Sequence, residues 1–383
     1  MAVAISHVEL MKQYHGLPNA YDKPAVYELG RLSVTLFFVL SGFLITYLLL
    51  AEQQQSGGIA VRRFYLRRIL RIWPLYFLVV LLSFLVLPRF ELFHVPRYTT
   101  ALPEHFAVTF PLFLLFLPQL ALSIYRPVPF AEPAWSIGVE EQFYLLWPAL
   151  MRRSRHFVAL AAVIIVTVAG SRWLALGLAM ANVKTNRTDD AALLVWNRVI
   201  NYLYFTRLEC MAIGGLFAWL VFAKKKSLLA FLYNRLVQVI VYALTAYLLV
   251  TDRHKPIFNY GWYSVLFAIL ILNVATNPRS LLRMNGRAFE LLGNISFSIY
   301  MLHELAIQVA IRAGLTSNAT LYPAAMALTL AAATASYLWL ERPFLRLKSR
   351  FAVVQSGPGD GILSVPVTVV AASESRPHRR RSE

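Results

Sequence analysis

Residues 133–148 read Pro-Ala-Trp-Ser-Ile-Gly-Val-Glu-Glu-Gln-Phe-Tyr-Leu-Leu-Trp-Pro and place two adjacent carboxylates, Glu140 and Glu141, within an apolar run. A carboxylate near the centre of a membrane helix costs about 2.5 kcal/mol or more, so its presence there needs a reason. On a helix, Ser136, Glu140 and Tyr144 share one face because they are four residues apart. The carboxylates either stand at a helix start, where the dipole favours them, or belong to a functional site.

The composition of the 383-residue chain is typical of a membrane protein. Hydrophobic residues make up 58% of it, and the mean hydropathy is +0.57. The net charge of +18 comes from basic clusters between apolar runs, a pattern typical of cytoplasmic faces, so we expect a lipid bilayer and no nucleic acid as partner. The single cysteine, Cys210, excludes an internal disulfide and argues against a thiolate metal site. We expect no bound metal.

Apolar runs long enough to cross a bilayer, about 20 residues, recur along the chain and predict an all-α bundle of about ten transmembrane helices. Residues 1–14 have the pattern of a helix whose beginning is missing. The run 106–122 contains two prolines and predicts a re-entrant or interfacial segment, while loops are expected at 15–32 and 177–201. The remaining predicted spans are 33–50, 72–87, 135–151, 157–176, 202–223, 229–250, 260–276, 289–311 and 322–344.

Charge counting orients these spans. The loops assigned to the inside hold 18 Lys and Arg, and those assigned to the outside hold 11. This bias predicts a multi-pass protein of the bacterial inner membrane with both termini in the cytoplasm. Residues 1–350 form the predicted membrane-embedded domain, and residues 351–383 are expected to be a disordered cytoplasmic tail because Gly, Pro, Ser and a terminal Arg run dominate there.

Two groups of polar residues suggest chemistry. His7 lies about 10 Å from the outer surface in this layout; it is either a hydrogen-bonded packing residue or a general base for removing a hydroxyl proton. Glu9 is two residues away and points elsewhere on a helix. Arg68 and Arg71 share a helix face at the cytoplasmic end of a span, where they either set topology or bind phosphate.

Further charges lie within or beside predicted spans. Arg207 and Glu209 either form structural ion pairs with other helices or line a pore, and His303 with Glu304 presents the same alternative. Intramembrane charges usually face the bundle interior or a cavity.

His7 and six stretches, in this order along the chain, resemble acyltransferase family 3, a family of integral membrane acyltransferases. The resemblance covers residues 1 to about 347. Its shorter elements are His7, Arg207-Leu-Glu and Glu341-Arg-Pro-Phe. Its longer motifs are Phe-Phe-Val-Leu-Ser-Gly-Phe-Leu-Ile (37–45), Phe-Tyr-Leu-Arg-Arg-Ile-Leu-Arg-Ile-Trp-Pro (64–74), Trp-Ser-Ile-Gly-Val-Glu-Glu-Gln-Phe-Tyr-Leu-Leu-Trp-Pro (135–148) and Leu-Gly-Asn-Ile-Ser-Phe-Ser-Ile-Tyr-Met-Leu-His (292–303).

The resemblance implies an enzyme that moves an acyl group, usually acetyl, from acetyl-CoA to a hydroxyl of an extracytoplasmic or lipid-linked carbohydrate. It implies no permanently bound cofactor, with acyl-CoA as co-substrate. It makes His7 the catalytic histidine, assigns Arg68 and Arg71 to the acyl donor, and adds Glu140 with Ser136 to the catalytic set. Glu140 is expected either to orient or charge the imidazole or to orient the acceptor, and we expect it to approach His7 within a few Å. The expected substrate contacts are Trp135, Arg207, Glu209 and His303.

Two departures from the family pattern keep alternatives open. The arginine that the family carries upstream of its histidine falls before Met1, so either the start is assigned too late or the protein is an inactive relative. In addition, Thr35 stands where the family commonly has an acidic residue, and Glu209 stands where the family usually has aspartate. A glycan or lipid transporter or flippase is the alternative from another class, although the chain has no half-to-half repeat of the kind seen in transporters.

Overall fold

The computed structural model describes residues 1–96, 102–125, 127–154, 156–184, 190–223, 225–251, 256–284 and 286–351. Every regular element in these ranges is helical, which confirms the all-α prediction. The α-helices are α1 (Ala2–Tyr14), α2 (Pro24–Ser56), α3 (Val61–Leu81), α4 (Leu102–Leu114), α5 (Pro118–Ile124), α6 (Ala134–Arg153), α7 (Phe157–Lys184), α8 (Asp190–Phe205), α9 (Leu208–Phe222), α10 (Lys226–Tyr233), α11 (Arg235–Thr251), α12 (Pro256–Thr276), α13 (Arg287–Arg312), α14 (Asn318–Ser336) and α15 (Arg342–Lys348). Short π-helical turns continue α3 and α14, at Leu82–Val86 and Tyr337–Glu341.

Among the described residues, five helical segments are long and apolar enough to cross a membrane. They are Pro24–Ser56, Val61–Arg89, Phe157–Ala181, Leu194–Phe222 and Asn318–Lys348. The pair α10 and α11, bent by 60°, adds a sixth if it counts as one span. The predicted number of about ten is therefore not confirmed. Helices α6 and α13 do not belong to this set, and neither does α1, which has only 13 residues.

Two predicted loops are largely helical. Helix α2 begins at Pro24, well before the predicted start of its span, because proline suits the first turn of a helix, where its missing N–H is not needed. The same helix ends at Gly57, whose φ of 73° is the left-handed conformation that glycine adopts easily. The predicted loop 177–201 contains the end of α7 and most of α8; residues 185–189 lie outside the described ranges.

Helices α2 and α9 form the centre of the bundle, and two glycines let their backbones approach closely. A Cβ atom on Gly42 would overlap the backbone of Met211, and one on Gly214 would overlap the carbonyl of Val39. Small residues permit such contacts between membrane helices. Helix α6 docks on this pair through Trp147, which is 1% exposed and donates to Oγ1 of Thr46 at 2.9 Å.

The proline-containing segment 106–122 is broken in the structure. Helix α4 and helix α5 are separated at residues 115–117, where Phe116 has a φ of 57°. Its carbonyl accepts a hydrogen bond of 3.0 Å from Gln142 of α6. The predicted interruption is thus observed, while its re-entrant or interfacial placement stays a prediction.

Helix α1 contains a buried ion pair, and hydrogen bonds to both of its members join α1 to α14. Lys12 Nζ lies 2.9 Å from Oε1 of Glu9 and 2.7 Å from Oδ1 of Asn318. Tyr322 of α14 donates to the same Glu9 oxygen at 2.7 Å. The prediction that Glu9 points away from His7 agrees with these contacts. The predicted tail 351–383 lies outside the described residues apart from Phe351.

Candidate active site

Helices α1 and α13 bring three polar side chains together. Nδ1 of His7 lies 2.9 Å from Oε1 of Glu304 and 3.0 Å from Nε2 of His303. The two imidazole centroids are 4.7 Å apart. Glu304 and His303 are buried, whereas 18% of the His7 side chain is exposed. The histidine proposed as a base therefore has a carboxylate partner and a surface open to substrate.

The hydrogen bonds assign the tautomers of both rings. Nδ1 of His303 lies 2.7 Å from the backbone oxygen of Tyr300, which can only accept, so this nitrogen carries the hydrogen. Nε2 of the neutral His303 ring then accepts from Nδ1–H of His7, which also faces Glu304. Nε2 of His7 is left with the lone pair, and no hydrogen bond reaches it within the described ranges. This is the tautomer that a general base requires.

The expected contact between Glu140 and His7 is not present. Glu140 accepts a hydrogen bond from Ser41 of α2 at 2.9 Å and one from Tyr144 at 2.9 Å. Each oxygen of the Glu140 carboxylate therefore accepts a hydrogen bond from a side chain of α2 or α6. The carboxylate beside His7 is Glu304, because α13 and not α6 packs against α1. Glu140 instead belongs to the wall of a neighbouring cavity.

This cavity has a volume of about 160 Å³, and its lining includes both cationic and apolar side chains. Arg68 and Arg71, both half-buried, supply positive charge to its wall, as their shared helix face predicts. The guanidinium of Arg68 lies over the rings of Phe64 and Tyr144, at 5.4 and 5.3 Å from their centroids. Such stacking holds the guanidinium in place. Apolar side chains line much of the remainder, among them Leu40, Leu44, Leu48 and Phe297.

Ser136 and Tyr300 connect this cavity with the histidine pair. Both residues line the cavity, and Oγ of Ser136 donates to the Tyr300 hydroxyl at 2.7 Å. That hydroxyl donates in turn to the carbonyl of Pro133 at 3.0 Å. The Tyr300 ring contacts His303, with centroids 6.0 Å apart. The predicted residue Ser136 therefore lies at the end of the cavity nearest to His7 and His303.

The predicted substrate contacts Trp135 and Arg207 lie together, outside the lining of this cavity. The guanidinium of Arg207 is 5.4 Å from the Trp135 ring and 3.7 Å from the Tyr260 ring. It also donates to Oγ1 of Thr35 at 2.9 Å. Arg207 is fully buried, and Thr35 supplies the oxygen at the position where the family usually has a carboxylate.

Glu209 has a structural partner. Its carboxylate accepts a short hydrogen bond from Arg172 of α7. The same guanidinium donates to the carbonyls of Leu203 and Thr206 at the end of α8. Of the alternatives open at Glu209, an ion pair between helices is the one these contacts favour.

An aromatic surface lies near the start of α2 and α6. Tyr21 packs edge-on against Tyr27, and the guanidinium of Arg31 lies 3.4 Å from the Tyr27 ring centroid. Burial and the Glu132 carboxylate raise the pKa of Tyr21 to about 12, so its hydroxyl stays a donor at neutral pH. The backbone N–H of Ala20, next to Tyr21, donates to Glu9 of α1, so this loop contacts the helix that carries His7.

Sequence reasoning missed Tyr300 and did not single out Glu304 as the partner of His7. Both follow from His303: a residue three positions earlier shares its helix face, and the next residue brings a carboxylate to the same depth. His7, His303 and Glu304 hold their ligand-type atoms within 4.8 Å of one another, a spacing suited also to a metal ion. The hydrogen bonds among them account for that spacing as well.

The fold and the site together define a helical membrane domain in which a histidine–carboxylate pair lies near a cavity lined by arginines. The chain belongs to acyltransferase family 3: the family model described as an acyltransferase domain matches residues 1–338. The predicted family is thereby confirmed.

Curated relatives carry related names. The O-acetyltransferase OatA of Staphylococcus aureus is 28% identical over 296 residues, covering 72% of this chain and 45% of the relative. The peptidoglycan O-acetyltransferase OatA of Listeria monocytogenes is 31% identical over 32% of this chain and 20% of its own length. The putative peptidoglycan O-acetyltransferase YrhL of Bacillus subtilis is 34% identical over 32% and 19%. The chain thus spans less than half the length of these relatives. No solved structure matches it.

Proposed function

We propose that this chain is a membrane O-acyltransferase that moves an acyl group, in the first instance acetyl, from acyl-CoA to a hydroxyl of a cell-surface or lipid-linked carbohydrate. The observation that carries the proposal is the arrangement of one cavity between a cationic wall at Arg68 and Arg71 and the hydroxyls of Ser136 and Tyr300, next to His7 and Glu304. Family membership and the names of the relatives support it.

The cavity suits an acyl-CoA donor. Guanidinium groups bind phosphate oxygens in a bidentate manner, so Arg68 and Arg71 would hold the phosphates of the nucleotide. The apolar wall between them and Ser136 suits the pantetheine arm. The thioester carbonyl then lies beside the hydroxyls of Ser136 and Tyr300, and the Tyr300 hydroxyl can turn from the Pro133 carbonyl to donate to the oxyanion that develops during attack.

The reaction needs one base and one proton path. Nε2 of His7 takes the proton of the acceptor hydroxyl while that oxygen forms a bond to the thioester carbon. The tetrahedral intermediate collapses, the carbon–sulfur bond breaks, and the thiolate of CoA leaves and takes up the proton. Glu304 holds the imidazole in its tautomer and stabilises the imidazolium that forms between the two steps.

The acceptor would approach His7 from the aromatic surface near Tyr21, Tyr27 and Arg31. Aromatic faces beside charged and hydroxyl groups suit a carbohydrate, which presents both apolar and polar sides. Because two of the relatives are named peptidoglycan O-acetyltransferases, peptidoglycan is the first acceptor to test. In this proposal about ten helices cross the bacterial plasma membrane, both termini are cytoplasmic, and segment 106–122 is re-entrant or interfacial.

The test is acceptor-dependent release of CoA from acetyl-CoA by the purified protein, with peptidoglycan fragments and other surface glycans as acceptors. We expect release that the His7→Ala variant lacks and that Glu91→Gln, an exposed control, retains. A chelator should leave the rate unchanged if the hydrogen-bonded triad acts without a metal. Glycan binding or translocation without any CoA release would favour the transporter, and absence of both would favour an inactive relative.

A further inference from the structure

The cavity wall contains a third cation that the Arg68 and Arg71 motif does not include. Lys348, at the end of α15, lines the same cavity as these arginines. Helix α15 packs against α3, the helix that carries both of them. The chain thus returns to the donor-side wall after more than two hundred residues and adds a side chain there.

Lys348 differs from the basic residues around it. Arg342, Arg346 and Arg350 are exposed, as expected for charges that only set membrane topology. Lys348 is half-buried and its side chain forms part of the wall. Of the basic residues of α15, Lys348 is the one that lines the cavity.

We propose that Lys348 binds a phosphate of the nucleotide part of the acyl donor, so that the donor site is built from α3 and the C-terminal α15 together. This inference rests on the proposed function. A nucleotide such as CoA carries a pyrophosphate and a separate 3′-phosphate, more negative charge than two guanidinium groups neutralise. The ammonium of a lysine offers three donors and serves as a point charge for phosphate.

An anionic lipid and a nucleotide both carry phosphate, so the lining of the cavity has to decide between them as ligands. The same cavity is lined by these cations, by the hydroxyls of Ser136 and Tyr300, and by apolar side chains such as Leu44 and Phe297. That geometry accommodates a long arm with phosphates at one end and a reactive group at the other. We therefore assign the phosphate to the nucleotide.

The test compares Lys348→Gln, Lys348→Arg and the exposed control Arg350→Gln in nanodiscs of neutral lipid. We expect the KM for acetyl-CoA to rise about 10-fold in Lys348→Gln, the loss of one charged hydrogen bond, while kcat stays close to wild type. Lys348→Arg should restore most of the affinity, and Arg350→Gln should behave as wild type. A melting temperature for each variant checks that the fold is intact.

Two further measurements separate the possible sources of phosphate. With 3′-dephospho-acetyl-CoA, loss of the Lys348 effect places the ammonium on the 3′-phosphate, and an unchanged effect places it on the pyrophosphate; both support the proposal. An effect seen only in discs containing phosphatidylglycerol would overturn it in favour of a lipid headgroup, and an unchanged KM would overturn it outright. Direct CoA binding without acceptor keeps this test valid if no acceptor is found: a donor that binds in a Lys348-dependent way, without acyl transfer, would count against the proposed function alone.

Discussion

Nδ1 of His7 lies 2.9 Å from Oε1 of Glu304, although 297 residues separate them in the chain. Helix α1 and helix α13 make this contact in the bundle interior, where a charge–imidazole hydrogen bond is stronger than in water. The arrangement gives His7 a fixed orientation with Nε2 toward the exposed side. The carboxylate in contact with His7 therefore comes from α13 and not from Glu140 of α6, where the sequence analysis expected it.

Removing the charge of Glu304 should lower turnover more than removing that of Glu140. Glu304→Gln leaves the His7 imidazole without its anionic partner, and we expect kcat to fall by about 10² to 10⁴ with little change in the KM for acetyl-CoA. Glu304→Asp should recover part of the loss. Steady-state kinetics beside the exposed control Glu290→Gln measure this. A larger loss of kcat in Glu140→Gln would show that the orienting carboxylate is misassigned.

The Tyr300 hydroxyl should act on the chemical step rather than on donor binding. Tyr300→Phe removes the group that meets Ser136 at the end of the cavity, and loss of one oxyanion donor costs about 10² to 10³ in kcat. The KM for acetyl-CoA should change little because the phosphate contacts remain. Tyr247→Phe, at an exposed tyrosine of α11, is the matched control. A raised KM at unchanged kcat would instead assign Tyr300 to donor binding.

The contact between α2 and α9 should not tolerate a methyl group. Gly42→Ala places a Cβ against the Met211 backbone, and forcing the helices apart should cost about 1–3 kcal/mol of stability. Gly170→Ala, on an open face of α7, should be neutral or slightly stabilising because alanine favours the helix. Thermal unfolding in one detergent compares the two variants. Equal melting temperatures would mean that the two helices separate easily.

Removing one charge of the buried Lys12–Glu9 pair should cost more stability than removing both charges. Lys12→Met leaves the Glu9 carboxylate buried without a cation, a loss of about 3–5 kcal/mol. The double variant Lys12→Met with Glu9→Gln removes both charges and should recover much of the stability. Lys23→Met, at an exposed position, serves as control. If the double variant unfolds as early as the single one, the pair contributes through packing and not through charge.

The sequence predicted the parts of the molecule that depend on local pattern. Apolar runs gave the all-α class, Pro111 and Pro118 gave the break between α4 and α5, and the spacing of Arg68 and Arg71 gave their shared place on the cavity wall. Hydropathy did not predict the helix ends. Helix α2 begins at Pro24, before the apolar run of the predicted span, because polar residues outside that run also belong to the helix.

A single sequence could not predict which side chains of distant helices contact one another. Nothing in the spacing of residues tells whether α6 or α13 lies against α1, so the contact between His7 and Glu304 could not be predicted. The same limit applies to Glu209 and Arg172, and to Lys348, which the charge pattern assigns only to membrane orientation. Each of these contacts depends on helix packing rather than on local periodicity.

The position of His7 on the first helix and of its partners on the thirteenth has a consequence for biosynthesis. While the chain leaves the ribosome, α2, α3 and α6 can assemble and enclose the first parts of the donor cavity. The hydrogen bonds of His7 with Glu304 and His303 cannot form until α13 has entered the membrane, and α15 adds its part of the cavity wall still later. Under the proposed function, a chain that stops before α13 has no oriented base and should not transfer acetyl groups to water.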